Sequence, residues 1–216
     1  ADAGAAASLA LAAAFANNGQ ACVAGTRLLV PRARQGEIVE RLRAGVAALR
    51  GGDPRDPEAA IGPLASQAQF ERIQRYIRRG CEQGATLVAG GEGRPDGLDT
   101  GFFVRPTVFA DVHNDMDIAR EEIFGPVLSV IACDDEADAV RIANDSAYGL
   151  QAYVFSADVQ RAQRVAQQLD VGTVLVNRTQ PELLAPFGGT KQSGLGREFG
   201  LAGIEGFLVA RTVAAA

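Results

Sequence analysis

One sulfur on a glycine-bounded turn is the group in this sequence best suited to covalent chemistry. Cys22 lies in Phe-Ala-Asn-Asn-Gly-Gln-Ala-Cys-Val-Ala-Gly-Thr-Arg, residues 15–27. An Ala-rich helical run reaches Phe15. Asn17-Asn18-Gly19 predicts its end, because Asn and Gly tolerate the left-handed backbone that closes helices. Past Gly25 the chain enters an apolar run, Leu28-Leu29-Val30, with the character of a strand. A thiol on such a turn can stand at a sheet edge, where backbone N–H groups face a developing anion. A free cysteine is also a small hydrophobe, and position alone leaves both readings open.

Other chemistries find less support. A Cys–His pair needs an imidazole to take the thiol proton, and the one histidine, His113, sits in a polar stretch that reads as a surface loop. Gly194, Gly196 and Gly200 make G-x-G-x-x-x-G, one residue too long for the dinucleotide fingerprint and with no strand before it. Lys191 follows Thr190, so no P-loop is present. No cluster of His and Cys has metal-ligand spacing. The other two thiols have plainer settings: Cys81 falls at a helix end, and Cys133 at the end of a buried strand.

The elements that would position Cys22 can be read in order. Residues 2–16 form a helix capped by Asp2, and residues 28–31 a short strand. Helices follow over 37–50 and 65–80, each with an apolar stripe at helical spacing. Residues 86–89 are a strand. Residues 102–109, interrupted by Pro106, predict an edge or bent strand. Residues 127–132 are a buried strand. Two β-α units occupy 136–155 and 159–176, residues 178–200 are a long structured loop, and 207–213 are a final strand-like run. Strands alternating with helices predict an α/β fold, a mostly parallel open sheet with helices on both faces.

Composition bounds the rest. The chain has 216 residues, a 47% apolar fraction and a formal charge of −5. That suits a globular protein with a real core, and the lack of a basic tract argues against nucleic acid as partner. No apolar run has the length of a membrane span, and no basic segment with a signal core opens the chain. Three widely spaced cysteines fit free thiols in a reducing compartment, so a cytoplasmic location is expected. The chain opens at Ala1 without Met, inside a predicted helix, and reads as a piece of something longer.

Several stretches together resemble the C-terminal part of the NAD(P)-dependent aldehyde dehydrogenases. Asn17-x-Gly-Gln-x-Cys22-x-Ala-Gly-x-Arg27 is similar to that family's nucleophile segment, and Arg120-Glu-Glu-Ile-Phe-Gly-Pro126 to its nicotinamide-ribose segment. Tyr148-Gly-Leu150, Pro186-Phe-Gly-Gly189, Ser193-Gly194 and Gly196-Arg-Glu198 follow in the family's order. The resemblance implies that Cys22 attacks the aldehyde carbon to give a thiohemiacetal and then a thioester, with its N–H as half of an oxyanion hole. A thiolate suits both steps, being strongly nucleophilic near neutral pH and giving a hydrolysable ester. It implies that Glu122 accepts both hydroxyls of the nicotinamide ribose, that Phe124 backs the nicotinamide, and that Phe187 lines the aldehyde tunnel. Asn177 and Gly188-Gly189 are assigned to structure, and Gln69 is a further candidate for the cofactor ribose. Outside the resemblance, Phe124 and Phe187 would read as core, and an acid here as solvated and paired with Arg120, which suits Glu121 better.

The cofactor, NAD or NADP, and an aldehyde substrate are thus expected. Residues 1–200 are expected to be the family's catalytic domain and 201–216 a C-terminal arm whose strand joins a homo-oligomer. The cofactor-binding domain, the second oxyanion donor and the deacylating base are expected upstream of Ala1. Two other readings stand beside this one: a folding and assembly fragment without turnover, and a thiol esterase or acyl-transferase that uses Cys22 without a cofactor.

Overall fold

The computed structural model describes residues 2–216. Its centre is a four-stranded sheet in the order β1 (Arg27–Pro31), β4 (Val127–Cys133), β3 (Thr107–Ala110), β2 (Thr86–Ala89). β1, β4 and β3 run parallel, and β2 lies antiparallel on β3.

β4 shows why the sheet is covered on both faces. Its side chains alternate between two cores: Val127, Ile131 and Cys133 enter one, Leu128 and Val130 the other. On the first face lie α3 (Gln67–Glu82), the short α4 (Asp117–Arg120) and α5 (Glu136–Asn144), which contribute Ile73, Ile77, Ile118 and Ile142. On the second lie α1 (Ala3–Phe15) and α2 (Gln35–Ala47), with Ala7, Ala10, Leu11, Ile38 and Leu42. The alanines of α1 let helices close up. A Cβ on Gly45 of α2 would fall 2.4 Å from Leu11 Cδ1. Asp2 caps α1, accepting from the N–H groups of Gly4 and Ala5 at 3.3 and 2.8 Å, a contact typically worth about 1 kcal/mol.

Pro106 does not make β3 an edge strand. β3 is internal and wholly buried, because Pro106 falls one residue before the ladder and its missing N–H is not needed there. Thr107 then begins the ladder by donating to the Pro126 carbonyl at 2.8 Å.

The later β-α units do not extend the central sheet within the described residues. β6 (Gln151–Val154) and β7 (Thr173–Val176) pair in parallel only with each other, flanked by α6 (Val159–Ala166). The glycine-rich loop is more ordered than its composition predicts. β8 (Thr190–Lys191) pairs antiparallel with β5 (Tyr148–Gly149), Phe187 bridges to Glu198, and α7 (Gly200–Glu205) follows. The β5–β8 pairing joins residues some forty positions apart, which local periodicity cannot register. Residues 207–216 form no strand in this chain, and Phe207, Leu208, Val209 and Val213 are exposed. A strand needs a partner ladder, and none is offered to this segment here.

Candidate active site

The turn carrying Cys22 begins with three successive left-handed residues, Asn17, Asn18 and Gly19, at φ of 49°, 58° and 68°. That backbone ends α1 abruptly and swings the chain toward β1. The polar residues of the segment then pin it to the loop before α3. Asn18 Oδ1 accepts from Gly62 N–H at 2.8 Å, its Nδ2 donates to the Pro63 carbonyl at 3.3 Å, and Gln20 Oε1 accepts from Ala65 N–H at 2.9 Å. Gly25 N–H returns to the Ala13 carbonyl at 3.2 Å. Cys22 itself is exposed, and no acceptor among the described residues takes its N–H.

The second segment packs directly on this turn. A Cβ on Gly19 would lie 2.2 Å from the Gly125 carbonyl oxygen, so the two backbones touch with no room for a side chain. α3 fixes residues 122–124 from the other side. Arg72 Nη2 donates to the Glu122 carbonyl at 2.6 Å, and Gln69 Nε2 donates to the carbonyls of Ile123 and Phe124 at 3.0 and 2.6 Å. Gln69 is therefore occupied in holding this segment rather than turned toward a ribose. Phe124 has φ of 60° and stays 38% exposed, an unusual state for a large apolar side chain that is built into the backbone here.

The three acids and bases of this segment have different partners from those expected of them. Arg120 pairs with Asp145 at 2.9 Å, not with Glu121. Glu121 instead accepts from the Tyr76 hydroxyl. Burial pushes that phenol up to about 12, and the hydrogen bond to Glu121 adds to the effect. Glu122 is exposed, and no described residue donates to its carboxylate. Two free acceptor oxygens on a fixed backbone are the chemistry a vicinal diol would require.

Cys22, Glu122 and Phe124 line one cleft of about 1060 Å³, walled by β1, β6 and α5. Phe187 is not in that wall. It packs on Phe199 with ring centroids 5.8 Å apart and faces a separate small pocket of about 30 Å³. Gln151 lines both spaces and is the link between them. Asn177, at φ of 54°, holds Ser156 through its N–H and carbonyl at 2.9 and 2.8 Å, a structural role. His113 is exposed, and among the described residues no group of three or more His, Cys, Asp or Glu could hold a metal.

Sequence reasoning missed the ties between the two segments. Arg27, last residue of the nucleophile segment, donates to Asn114 Oδ1 at 2.7 Å and to the carbonyls of Ile142 and Ala143 at 3.1 and 3.0 Å. Asn114 and Arg120 both bind Asp145, so a polar chain runs from one segment to the other. Burial holds the Arg27 guanidinium below its ordinary value, with repulsion from Arg120 adding to it. An arginine closing a motif otherwise made of small and polar residues was the available signal. For Tyr153, which grips the turn from β6, the sequence held none.

Three comparisons bear on this geometry. A model of the aldehyde dehydrogenase family matches residues 1–213. A relative from Staphylococcus haemolyticus is 47% identical over 200 residues, covering 92% of this chain and 42% of its own length. Among solved structures, a Mycobacterium tuberculosis aldehyde dehydrogenase in complex with NAD+ is 51% identical, with a TM-score of 0.93 over 95% of this chain and 42% of its own. A cysteine-to-alanine mutant of aldehyde dehydrogenase C from Pseudomonas syringae, in complex with NAD+ and octanal, is 46% identical, with the same TM-score and coverage. A Staphylococcus aureus betaine aldehyde dehydrogenase with NAD+ is 40% identical, with a TM-score of 0.93 over 97% of this chain and 42% of its own. The chain thus spans 42% of the length of each of these proteins.

Proposed function

Since this chain belongs to the aldehyde dehydrogenase family, we propose that it is the catalytic portion of an enzyme oxidising an aldehyde to a carboxylic acid with NAD+ or NADP+. The observation that carries this reading is the cleft shared by Cys22, Glu122 and Phe124. The bound NAD+ and octanal of the P. syringae relative support the cofactor and substrate class.

In the proposed reaction the Cys22 thiolate adds to the aldehyde carbon, and the carbonyl oxygen takes the negative charge. The Cys22 N–H, which has no acceptor among the described residues, is available to that oxyanion. When bound, the nicotinamide supplies the acceptor for the hydride that leaves the thiohemiacetal carbon. Glu122 would hold the nicotinamide ribose by its two hydroxyls, and Phe124 would back the ring. The acyl group is left as a thioester on Cys22, and water then releases the acid and restores the thiolate. Phe187 would act on the substrate side through the small pocket that meets the cleft at Gln151.

Residues 1–200 form the catalytic unit of this proposal, and 201–216 an arm that joins a neighbouring subunit. The three free thiols support a reducing, cytoplasmic setting, and no helix among the described residues is long and apolar enough to cross a membrane.

The test is NADH production by the full-length parent protein across a panel of aldehydes. Turnover that is abolished by Cys22→Ser is expected. A protein of these 216 residues alone is expected to be nearly inactive, since holding a cofactor against the reacting carbon accounts for roughly 7–11 kcal/mol in favourable cases. An acyl-enzyme formed from an activated ester, without NADH from any aldehyde, would instead establish the thiol acyl-transferase reading.

A further inference from the structure

The Cys22 turn has few hydrogen bonds of its own. Ala24 N–H reaches the Ala21 carbonyl at 2.9 Å and Thr26 N–H the Ala24 carbonyl at 3.0 Å, both within the turn. Asn18, Gln20 and the Gly25 N–H tie its ends to the loop before α3 and to α1, and the tie at the residue next to Cys22 comes from a strand far along the chain. Tyr153, on β6, donates its hydroxyl to the Val23 carbonyl at 2.9 Å, across 130 residues of sequence. Val23 is the residue immediately after Cys22.

The direction of this bond is fixed by its surroundings. A carbonyl only accepts, so the phenol must donate to it. Gln151, two residues earlier and therefore on the same face of β6, donates Nε2 to the Tyr153 oxygen at 2.5 Å. The oxygen accepts on one side and gives its proton on the other. Burial raises the Tyr153 phenol above its ordinary value and outweighs the lowering by the Gln151 hydrogen bond, and charge on Cys22 adds to the rise, so the donor keeps its proton at neutral pH.

The ring grips as well as the hydroxyl. A Cβ on Gly25 would lie 3.2 and 3.3 Å from two carbons of the Tyr153 ring, so the glycine is what lets the aromatic face lie against the turn. Phe155, the next residue on that face, stacks behind it with centroids 6.4 Å apart. Tyr153 therefore holds the turn at Val23 and at Gly25, either side of Ala24 and just after the nucleophile. β6 has no ladder to β1 or β4 among the described residues, so backbone pairing does not tie β6 to the turn, and the Gly25 N–H bond to the Ala13 carbonyl ties the turn to α1 alone.

We propose that Tyr153, oriented by Gln151, is a positioning residue for the nucleophile: its hydroxyl and ring fix the Cys22 turn so that thiol and backbone N–H face the cleft together. This inference rests on the aldehyde dehydrogenase reading of the site for its effect on turnover, but not for its effect on the thiol. Loss of the hydroxyl leaves the Val23 carbonyl without its donor and frees the turn, while the ring of Phe would still fill the space beside Gly25.

The experiment uses the full-length parent protein with Tyr153→Phe, and reads three thiols in one molecule. Cys22 is the site, Cys81 is an exposed reference, and buried Cys133 reports loss of fold. Brief alkylation near neutral pH, mapped by mass, is expected to show the Cys22-to-Cys81 ratio falling about tenfold, with Cys133 still unlabelled. The kcat with an aldehyde should fall by a similar factor while KM for the dinucleotide is unchanged. Gln151→Leu, which keeps the phenol, should lie between wild type and Tyr153→Phe in both readouts. An unchanged Cys22-to-Cys81 ratio and kcat in Tyr153→Phe would overturn the inference, as would equal rises of all three thiols, which report only loosening. Wild-type protein that alkylates fast at Cys22 but oxidises no aldehyde would remove the reading of the reaction and leave the alkylation arm decisive for Tyr153.

Discussion

The α-carbon of Gly19 faces the carbonyl of Gly125 so closely that a Cβ on Gly19 would be 2.2 Å from the oxygen and 2.3 Å from the carbon. Each glycine belongs to a different motif of the sequence, and their contact sets how the Cys22 turn meets the Glu122 segment. Gly19 also sits at φ of 68°, where a side chain is strained on its own account. Gly19→Ala should therefore destabilise the protein by roughly 2–5 kcal/mol, from the left-handed backbone and the overpacked contact together. Denaturant midpoints would check it. A midpoint equal to wild type would mean that the segments can part without cost.

Cys22 and Cys81 are both exposed, so exposure does not separate them. Cys81 lies in the last turn of α3 and outside the cleft that Cys22 lines. Cys133 is buried, gives its thiol proton to the Val30 carbonyl at 3.2 Å, and has its titration pushed up chiefly by burial. Cys22 should be the fast-reacting thiol, at least tenfold ahead of Cys81 as a rough expectation, with Cys133 silent. Labelling of Cys81 at the Cys22 rate would remove the nucleophile assignment.

Glu122→Gln should weaken dinucleotide use more than folding. The backbone of this segment is held by Arg72 and Gln69, which bind carbonyls and are indifferent to the side chain. Losing the charge on an acceptor of two hydroxyls should cost roughly tenfold to hundredfold in kcat/KM for the cofactor, with the melting temperature close to wild type. Steady-state kinetics in the full-length protein, varying the dinucleotide, would read it. No change would show that the carboxylate does not meet the ribose.

Tyr76 makes stability sensitive to alkali. Its phenol is raised from 10.0 to about 12 in the folded chain, first by burial and then by the bond to Glu121. Between those values the unfolded chain has released the proton and the folded chain has kept it, so unfolding is favoured by rising pH. The contribution is complete below pH 10 and is lost on approach to 12. Tyr76→Phe should lower stability at neutral pH and flatten the decline between pH 10 and 12. Parallel slopes for the two proteins would contradict the assignment.

Residues 207–216 end the chain with Val209 at 93% exposure, and no strand partner is present within the described residues. Exposed apolar residues in an unpaired segment suit addition to a sheet edge of another subunit. Deleting 207–216 should lower the subunit count measured by light scattering. A truncated protein with the wild-type count would move the assembly surface elsewhere.

Much of the local structure was fixed by neighbours in sequence and could be read there. Asp2 capping α1, the Asn17-Asn18-Gly19 stop, the apolar stripes of α2 and α3, and strands at 86–89 and 173–176 all follow from contacts within a few residues. The family resemblance rested on short motifs whose order survives without knowledge of the fold. Tertiary structure decided the rest. Pro106 predicted an edge or bent strand over 102–109, yet β3 is central and begins at Thr107, because one residue of offset takes the proline out of the ladder. Gln69 stood near a ribose in expectation, yet packing turns its amide onto the carbonyls of Ile123 and Phe124. Phe187 shares a motif with the substrate tunnel in expectation, yet it faces a pocket apart from Cys22. Above all, Tyr153 and Val23 are 130 residues apart, and nothing in either neighbourhood signals their bond. A hydrogen bond between a turn and a distant strand depends on where β6 is carried by α5 and the turns around it, and that placement is a property of the whole packed chain.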